Sequence, residues 1–250
     1  MQKSEFNFTT EPSDFIESQC AYLPELKSKT EYKILLTPEK KEAEAMLALG
    51  WRRFGTMFFR PVCDNCSACT PLKVSVNDFK FSKSFRKVLN KNGRIKIVKA
   101  KPQYTEEKLE LHNLYHQHQA QKKGWPWHVI SSLEYKVLFC TPFEFAYEFQ
   151  YYLDDKLIGI GYVDIFDTSF SSIYFFYDPE WHDASPGTFS ILNEITYCTN
   201  HGITDFHLGY WVDACPSMKY KKRFTPYSLL RGQEETWQWA EANWSDYQDK

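Results

Sequence analysis

Three cysteines at two-residue gaps, Cys63, Cys66 and Cys69 in CDNCSAC, form the most chemically specific local pattern in this 250-residue chain. Thiolates so spaced on a turn can converge on one tetrahedral metal ion, yet three ligands leave a fourth to be supplied. Cys20, upstream in CAYLP, is the candidate to complete a structural zinc or an iron–sulfur cluster, since both accept four thiolates. Ordinary buried thiols without metal are the alternative. Cys140, Cys198 and Cys215 stand in apolar or loop contexts and read as packing residues.

A second chemical pattern is KYKKRF, where Lys219, Lys221, Lys222 and Arg223 alternate with Tyr220 and Phe224. Basic groups interleaved with aromatic rings can pair with phosphates and stack on unpaired bases, although a surface loop pinned by two rings would look the same. A third is Asp178 in FFYDP, a carboxylate at a strand end that can hold an amine or simply make a turn before Pro179. Charge is also sorted along the chain. Residues 79–105 carry nine Lys and Arg and no Asp or Glu, whereas 143–184 carry nine acids against Lys156 alone. A charge run is ordinarily a solvated face. Two runs of opposite sign suggest one side built for a polyanion, which the formal net charge of −2 conceals.

The elements that must position these groups are legible in outline. At 43% apolar and 25% charged residues the composition is that of a packed globular chain, long enough for one large or two modest domains. The first fifteen residues lack a basic stretch followed by an apolar one, and no run approaches the ~18 apolar residues of a membrane span. Seven cysteines argue against a secreted disulfide framework, so a cytoplasmic protein with reduced thiols is expected. Thr37 and Pro38 predict a helix start and Gly50 its end. RRFGTMFFRP and PLKVSVNDF read as strands on either side of the cysteines, SFRKVL as a helix and RIKIVKA as a strand. Thr105 opens a long helix whose expected core face is Leu111, Leu114, Tyr115 and His118. FEFAYEFQYYL and KLIGIGYVDIF predict a hairpin turning at Asp154-Asp155, and SSIYFFYDP a third strand. A helix from Thr188 to His201 and the strand TDFHLGYWV follow. Antiparallel strands and then strand, loop, helix, strand is the order of an acyltransferase-type α+β core.

Taken together, CAYLP, GWRRFG with RPVCDNCSACTPLKV, SSIYFFYDPEW, GTFSILNEITYC and LGYWVDACPSMKYKKRFTPYSLL resemble the aminoacyl-tRNA–protein transferases, and most closely the bacterial aspartate/glutamate leucyltransferases. The resemblance runs in order from about Cys20 to Leu230. It implies an α+β fold in which an N-terminal cysteine-containing α/β module (1–104) precedes a GNAT-like aminoacyl-transferase core (105–250). It also implies leucine transfer from leucyl-tRNA to the α-amine of proteins beginning with Asp or Glu, which marks them for degradation. One departure matters: many relatives carry an Arg-His pair after the central helix, where this chain reads QKKGWPW with Lys122 and Lys123.

The implied reaction, aminolysis of an activated ester, requires no cofactor for chemistry. Positioning can lower such a barrier by ~7–11 kcal/mol, and an α-amine titrating near ~7.7–8.0 needs only a modest base. In that setting Asp178 is expected to hold or deprotonate the amine. Tyr210 is expected to share the catalytic site with Asp178; Gly187, Thr188, Phe189 and Ser190 should lie near the acceptor end of the tRNA, and Tyr210 and Trp211 should offer stacking surfaces or walls for leucine. Lys219, Tyr220 and Lys221 should grip terminal phosphates. An acidic N-terminal side chain calls for a cation, preferably bidentate, and Arg52 and Arg53 in GWRRFG lead, with Lys221 next. Alternatives are an arginyltransferase, and a metal-stabilised reader of acidic N-termini or tRNA without transfer activity. A small-molecule acetyltransferase is disfavoured, because HDASPG before Thr188 supplies one glycine where an acyl-CoA pyrophosphate loop needs several.

Overall fold

A computed structural model describes residues 13–124, 126–232 and 238–241. The first twelve residues, on which the reading of the N-terminus partly rests, and Trp125 of QKKGWPW lie outside the described residues. In chain order the elements begin with β1 (Asp14–Gln19), β2 (Lys27–Ile34), α1 (Lys40–Ala48), β3 (Arg52–Phe54), β4 (Met57–Pro61) and β5 (Thr70–Ser75). They continue with α2 (Lys83–Lys91), β6 (Lys96–Ala100), α3 (Glu106–Lys123), α4 (Ser132–Phe139), β7 (Ala146–Leu153), β8 (Lys156–Ile165) and β9 (Ser169–Tyr177). The 3-10 segment Pro179–Ala184, α5 (Pro186–Asn200), β10 (Asp205–Trp211), a second 3-10 segment Pro216–Arg223, β11 (Tyr227–Arg231) and β12 (Gln238–Glu241) complete the described chain.

The chain packs as two units, one formed by residues up to Ser75 together with those from His207 onward, the other by Val76–Phe206. In the first unit β1, β2, β4 and β3 make an antiparallel sheet in that order. RRFGTMFFRP is a hairpin rather than a single strand. Gly55, at φ 61°, lets the chain reverse so that Phe54 pairs with Met57. A second set runs β12-β11-β5-β10, over a core that includes Leu72, Val74, Phe224 and Leu229. Helix α1 starts two residues beyond the Thr37-Pro38 signature, with Glu39 as its cap and no side-chain bond there.

The second unit is built on β9-β8-β7-β6, with α5 and α3 against it. Asp154 and Asp155 both take positive φ, 48° and 65°, so β7 and β8 are joined by the two-residue turn that matches strand twist. Thr105 caps α3 by accepting from the Lys108 N–H, and Gly124 closes it in the left-handed conformation. The expected core face of α3 is corrected by the structure. Leu111 is buried, but Leu114 is 46% exposed and Tyr115 and His118 are only half-buried. The buried positions are Lys108, Leu109, Leu111, His112 and Gln119. Lys108 can be interior because its ammonium is bonded to the Glu148 carboxylate, and His112 because Tyr135, Phe139 and Phe176 surround it. A helix face defined by three polar residues is invisible to apolar periodicity.

Candidate functional site

In the first unit the strand alternation of β3 sends its two arginines to different surroundings. Arg53 Nη1 donates to the Gly55 carbonyl at 3.0 Å, which ties it to the hairpin. Arg52 is buried beside Gly209 of β10, whose φ of +80° is the left-handed region. A methyl group at Gly209 would stand 3.6 Å from Lys221 Nζ and 3.7 and 3.8 Å from Arg52 Nη2 and Nε. The absent side chain therefore leaves a place that two buried cations share. Burial, then the Arg52 charge, pushes the Lys221 ammonium down to about 7, against the pull of Cys215. Lys221 Nζ donates to the Tyr210 carbonyl. His207 is held well below its ordinary value by burial and by the charges of Arg52 and Lys73.

The other residues expected around this place take distinct roles. The Tyr210 hydroxyl donates to the carbonyls of Gly50 (2.8 Å) and Phe59 (3.2 Å), so this phenol braces the sheet, and burial raises its pKa. Trp211 is buried under Lys222, whose Nζ lies 4.5 Å from its ring centre. Along KYKKRF the 3-10 pitch turns Lys221 inward and leaves Lys219 and Tyr220 exposed.

In the second unit Asp178 directly follows β9 and is buried. Its Oδ2 accepts from Lys156 Nζ at 2.7 Å and its Oδ1 from the Glu180 N–H at 3.0 Å, so it caps the 3-10 segment that follows. At the start of α5, Gly187 and Thr188 are half-buried while Phe189 and Ser190 point inward, Phe189 against the rings of Tyr151 and Trp181. Ser190 Oγ donates to Glu194 Oε1 at 2.9 Å and lies 3.0 Å from the Tyr151 hydroxyl. Gly161 makes room beneath, since a methyl group there would sit 3.3 Å from Glu194 Oε1. Burial raises the Glu194 carboxyl to about 7, the serine hydroxyls of Ser190 and Ser172 opposing. Sequence reading missed Glu194 because it falls on the apolar face of a core helix.

A cavity of about 570 Å³ opens in the same unit between the end of α3 and the 3-10 segment after Asp178, lined by His118, Gln121, Lys122, Pro179, Glu180, His182 and Asp183. Sequence reading had noted Lys122 but not His182. The two meet only in space, sixty residues apart, with Lys122 Nζ 3.3 Å from His182 Nε2.

The two charge blocks prove to be neighbours. Arg94 Nη2 binds both carboxylate oxygens of Asp154 at 2.8 and 2.7 Å, Lys91 Nζ donates to the Asp183 carbonyl, and β6 of the basic block pairs with β7 of the acidic one. A cleanly dipolar unit is therefore not formed. What stays exposed is the basic face of α2, with Lys83, Arg86, Lys87 and Lys91 outward and Phe85 inward.

The cysteines do not meet the expectation of a structural metal. Cys20, Cys63, Cys66 and Cys69 are all half-buried free thiols, but among the described residues no group of three or more His, Cys, Asp or Glu is arranged to hold an ion. Cys63 Sγ instead accepts from the Lys29 N–H at 3.4 Å, and Cys20 Sγ from the Leu23 N–H at 3.4 Å. Burial, then the neighbouring sulfurs, pushes the Cys69 thiol up to about 12, which keeps it protonated. A structural metal at these four thiols is therefore without support among the described residues.

Residues 107–231 match the family model for the C terminus of arginine-tRNA-protein transferase, and residues 18–87 match the model for its N terminus. The aspartate/glutamate leucyltransferase of Campylobacter jejuni subsp. jejuni serotype O:6 is 38% identical, over 88% of this chain and 92% of its own. The proteins of that name from Helicobacter hepaticus (34%, over 85% and 88%) and Pseudomonas syringae pv. tomato (31%, over 86% and 91%) are also similar. Among solved structures, L-PGS from Bacillus licheniformis aligns with a TM-score of 0.44 at 11% identity over 69% of this chain and 50% of that one. FemX aligns at 0.42 with 11% identity over 73% and 63%. Among the described residues no helix is long and apolar enough to cross a membrane.

Proposed function

The chain belongs to the aminoacyl-tRNA–protein transferases, and we propose that its donor is leucyl-tRNA and its acceptor the α-amine of proteins that begin with Asp or Glu. As an aminoacyltransferase it takes an aminoacyl-tRNA and a protein as substrates. The names of its relatives support leucine as the transferred residue and acidic N-termini as acceptors. The observation that carries acidic specificity is the pair of buried cations at Gly209. A carboxylate entering there exchanges water for the fork of Arg52 and the ammonium of Lys221, and it offsets the burial and, after it, the Arg52 charge that lower Lys221. A neutral Asn or Gln side chain offers no such gain.

The remaining roles follow the chemistry of aminolysis. Asp178, fixed by Lys156 and by the Glu180 N–H, organises the turn at the end of β9. Gly187, Thr188, Phe189 and Ser190 border the aminoacyl end of the donor, while the exposed Lys219 and Tyr220 suit phosphates and a terminal base. Tyr210 and Trp211 serve as walls, with no proton transfer required of Tyr210. A division into modules at 104/105 is supported by the two family models, which fall on either side of it. Modification of this kind would commit acidic-ended proteins to N-degron degradation in the cytoplasm, where aminoacyl-tRNA is available. Replacing Arg52 with Gln tests the reading. Losing a charged hydrogen bond of about 1.5–3 kcal/mol corresponds to a roughly 10- to 150-fold weaker use of Asp- and Glu-initiated peptides, with leucyl-tRNA binding preserved. Loss of leucyl-tRNA binding with peptide affinity intact overturns the assignment.

A further inference from the structure

The start of helix α2 carries charge against the helix dipole. Its first turn holds Lys83 and no acid, although the N-terminus of a helix is the positive end and favours carboxylates. The 3.6-residue period puts Lys83, Arg86, Lys87, Asn90 and Lys91 on one face, all exposed, and Phe85 on the opposite, buried one. Lys83, Lys87 and Lys91 follow one another at steps of about 6 Å along the axis. In the rest of the basic block the charge is engaged: Arg94 is ion-paired with Asp154, and Lys99 lies over the rings of Tyr147 and Tyr197. On α2, Arg86 and Lys91 bond the carbonyls of Phe81 and Asp183, and among the described residues no carboxylate pairs with Lys83, Arg86, Lys87 or Lys91.

This face is held at both ends of the helix. Ser82 Oγ accepts from the Phe85 N–H at 3.2 Å, and the ring of Phe79 lies 5.2 Å from that of Phe81 and 5.9 Å from that of Phe85. At the other end Asn92 is buried. Its Nδ2 donates to the Val88 and Ala184 carbonyls at 2.8 and 2.9 Å, and its Oδ1 accepts from Trp181 Nε1 at 2.7 Å. Trp181 and Ala184 belong to the 3-10 segment that leads into α5, and α2 itself packs on α5. The basic face is thus fixed relative to Gly187, Thr188, Phe189 and Ser190, all within one unit.

We propose that the basic face of α2 is the docking surface for the acceptor-stem duplex of the donor RNA, and that it grips phosphates without reading bases. It places the stem relative to the start of α5 and takes no part in choosing leucine. The proposal rests on the donor being an aminoacyl-tRNA. An A-form duplex offers a helix lying on it phosphates and 2′-hydroxyls, its major groove being too narrow for side chains to read. Lysine and arginine contacts to phosphates fix register and orientation but carry no sequence information. An anionic membrane is the other polyanion such a helix could meet. It fits poorly, because Phe85 is turned into the protein and α2 packs on α5, which leaves no apolar face to enter lipid.

The test compares the full chain with its Lys83→Gln, Lys87→Gln double variant, both substitutions lying at exposed positions. Three probes are titrated: a hairpin RNA that reproduces the acceptor stem with its unpaired 3′ end, that unpaired strand alone, and vesicles of phosphatidylglycerol. Hairpin binding should weaken about 5- to 20-fold, by the same factor for hairpins of different stem sequence, and its logarithmic salt slope should fall in magnitude by about 1–2. Binding of the unpaired strand should stay within about twofold. In transfer assays KM for leucyl-tRNA should rise with little change in kcat, because the contact is made equally in the ground and transition states, and KM for the peptide should not move. Unchanged hairpin binding, an equal loss for the unpaired strand, a loss confined to one stem sequence, or a loss seen with the vesicles alone overturns the proposal. A wild type that binds the hairpin through α2 and transfers nothing overturns the transfer reading instead and leaves the docking surface standing.

Discussion

Replacing Glu194 with Gln removes a carboxyl that the fold accommodates best when it is protonated. Glu194, on the inner face of α5, is completely buried, with Oε1 held by Ser190, and burial lifts its pKa from an ordinary 4.5 to about 7. Between those values the folded protein keeps a proton that the unfolded chain has released, so the associated stability is fully present below pH 4.5 and is lost as pH rises through 7. The difference is worth ~3 kcal/mol at the scale of ~1.4 kcal/mol per pH unit. Gln keeps the shape and the Ser190 contact without the charge, so the variant should lack this slope. Urea unfolding of both proteins at pH 5, 6, 7 and 8, read as the difference between them, should show Glu194→Gln gaining ~3 kcal/mol relative to the wild type across the range. Parallel pH dependences would refute the reasoning, because they would mean that Glu194 is ionised, and compensated, in the folded state.

Lys221, held near 7, should lose its charge as pH rises from 6 to 8.5, so affinity for an acidic-ended peptide should fall over that window, and Lys221→Arg should flatten the dependence in a binding titration. Asp178→Asn retains an oxygen to accept the Glu180 N–H, so Tm should change little while transfer slows; an unchanged transfer rate would reject a role for the carboxylate. Lys83→Gln with Lys87→Gln should weaken leucyl-tRNA binding and reduce the magnitude of its logarithmic salt slope by about 1–2, measured by filter binding from low to moderate salt.

What could be read from the sequence depended on whether a signal was local. The Asp154-Asp155 turn and the Thr105 cap act on their own backbone, and the structure has each where the residue types put it. The α3 face was misjudged because Lys108, His112 and Gln119 are buried through partners far along the chain, Glu148 among them. Charge blocks misled for a related reason: Arg94 and Asp154 lie sixty residues apart and form an ion pair. At the candidate sites, Arg52 and Lys221 were each recognisable as cations, yet their shared place exists only because Gly209 lacks a side chain. His182 carried no pattern at all. Only the fold brings Lys122 and Tyr177 to its two ring nitrogens.

The central claim, leucyl transfer to acidic N-termini, is tested most directly by offering the protein a mixture of aminoacyl-tRNAs and peptides that differ only in beginning with Asp, Glu, Asn or Arg, then weighing the peptides by mass spectrometry. The account predicts that the Asp and Glu peptides alone gain the mass of one leucyl residue. Gain of an arginyl residue, or acidic peptides that bind but never change mass, would contradict it.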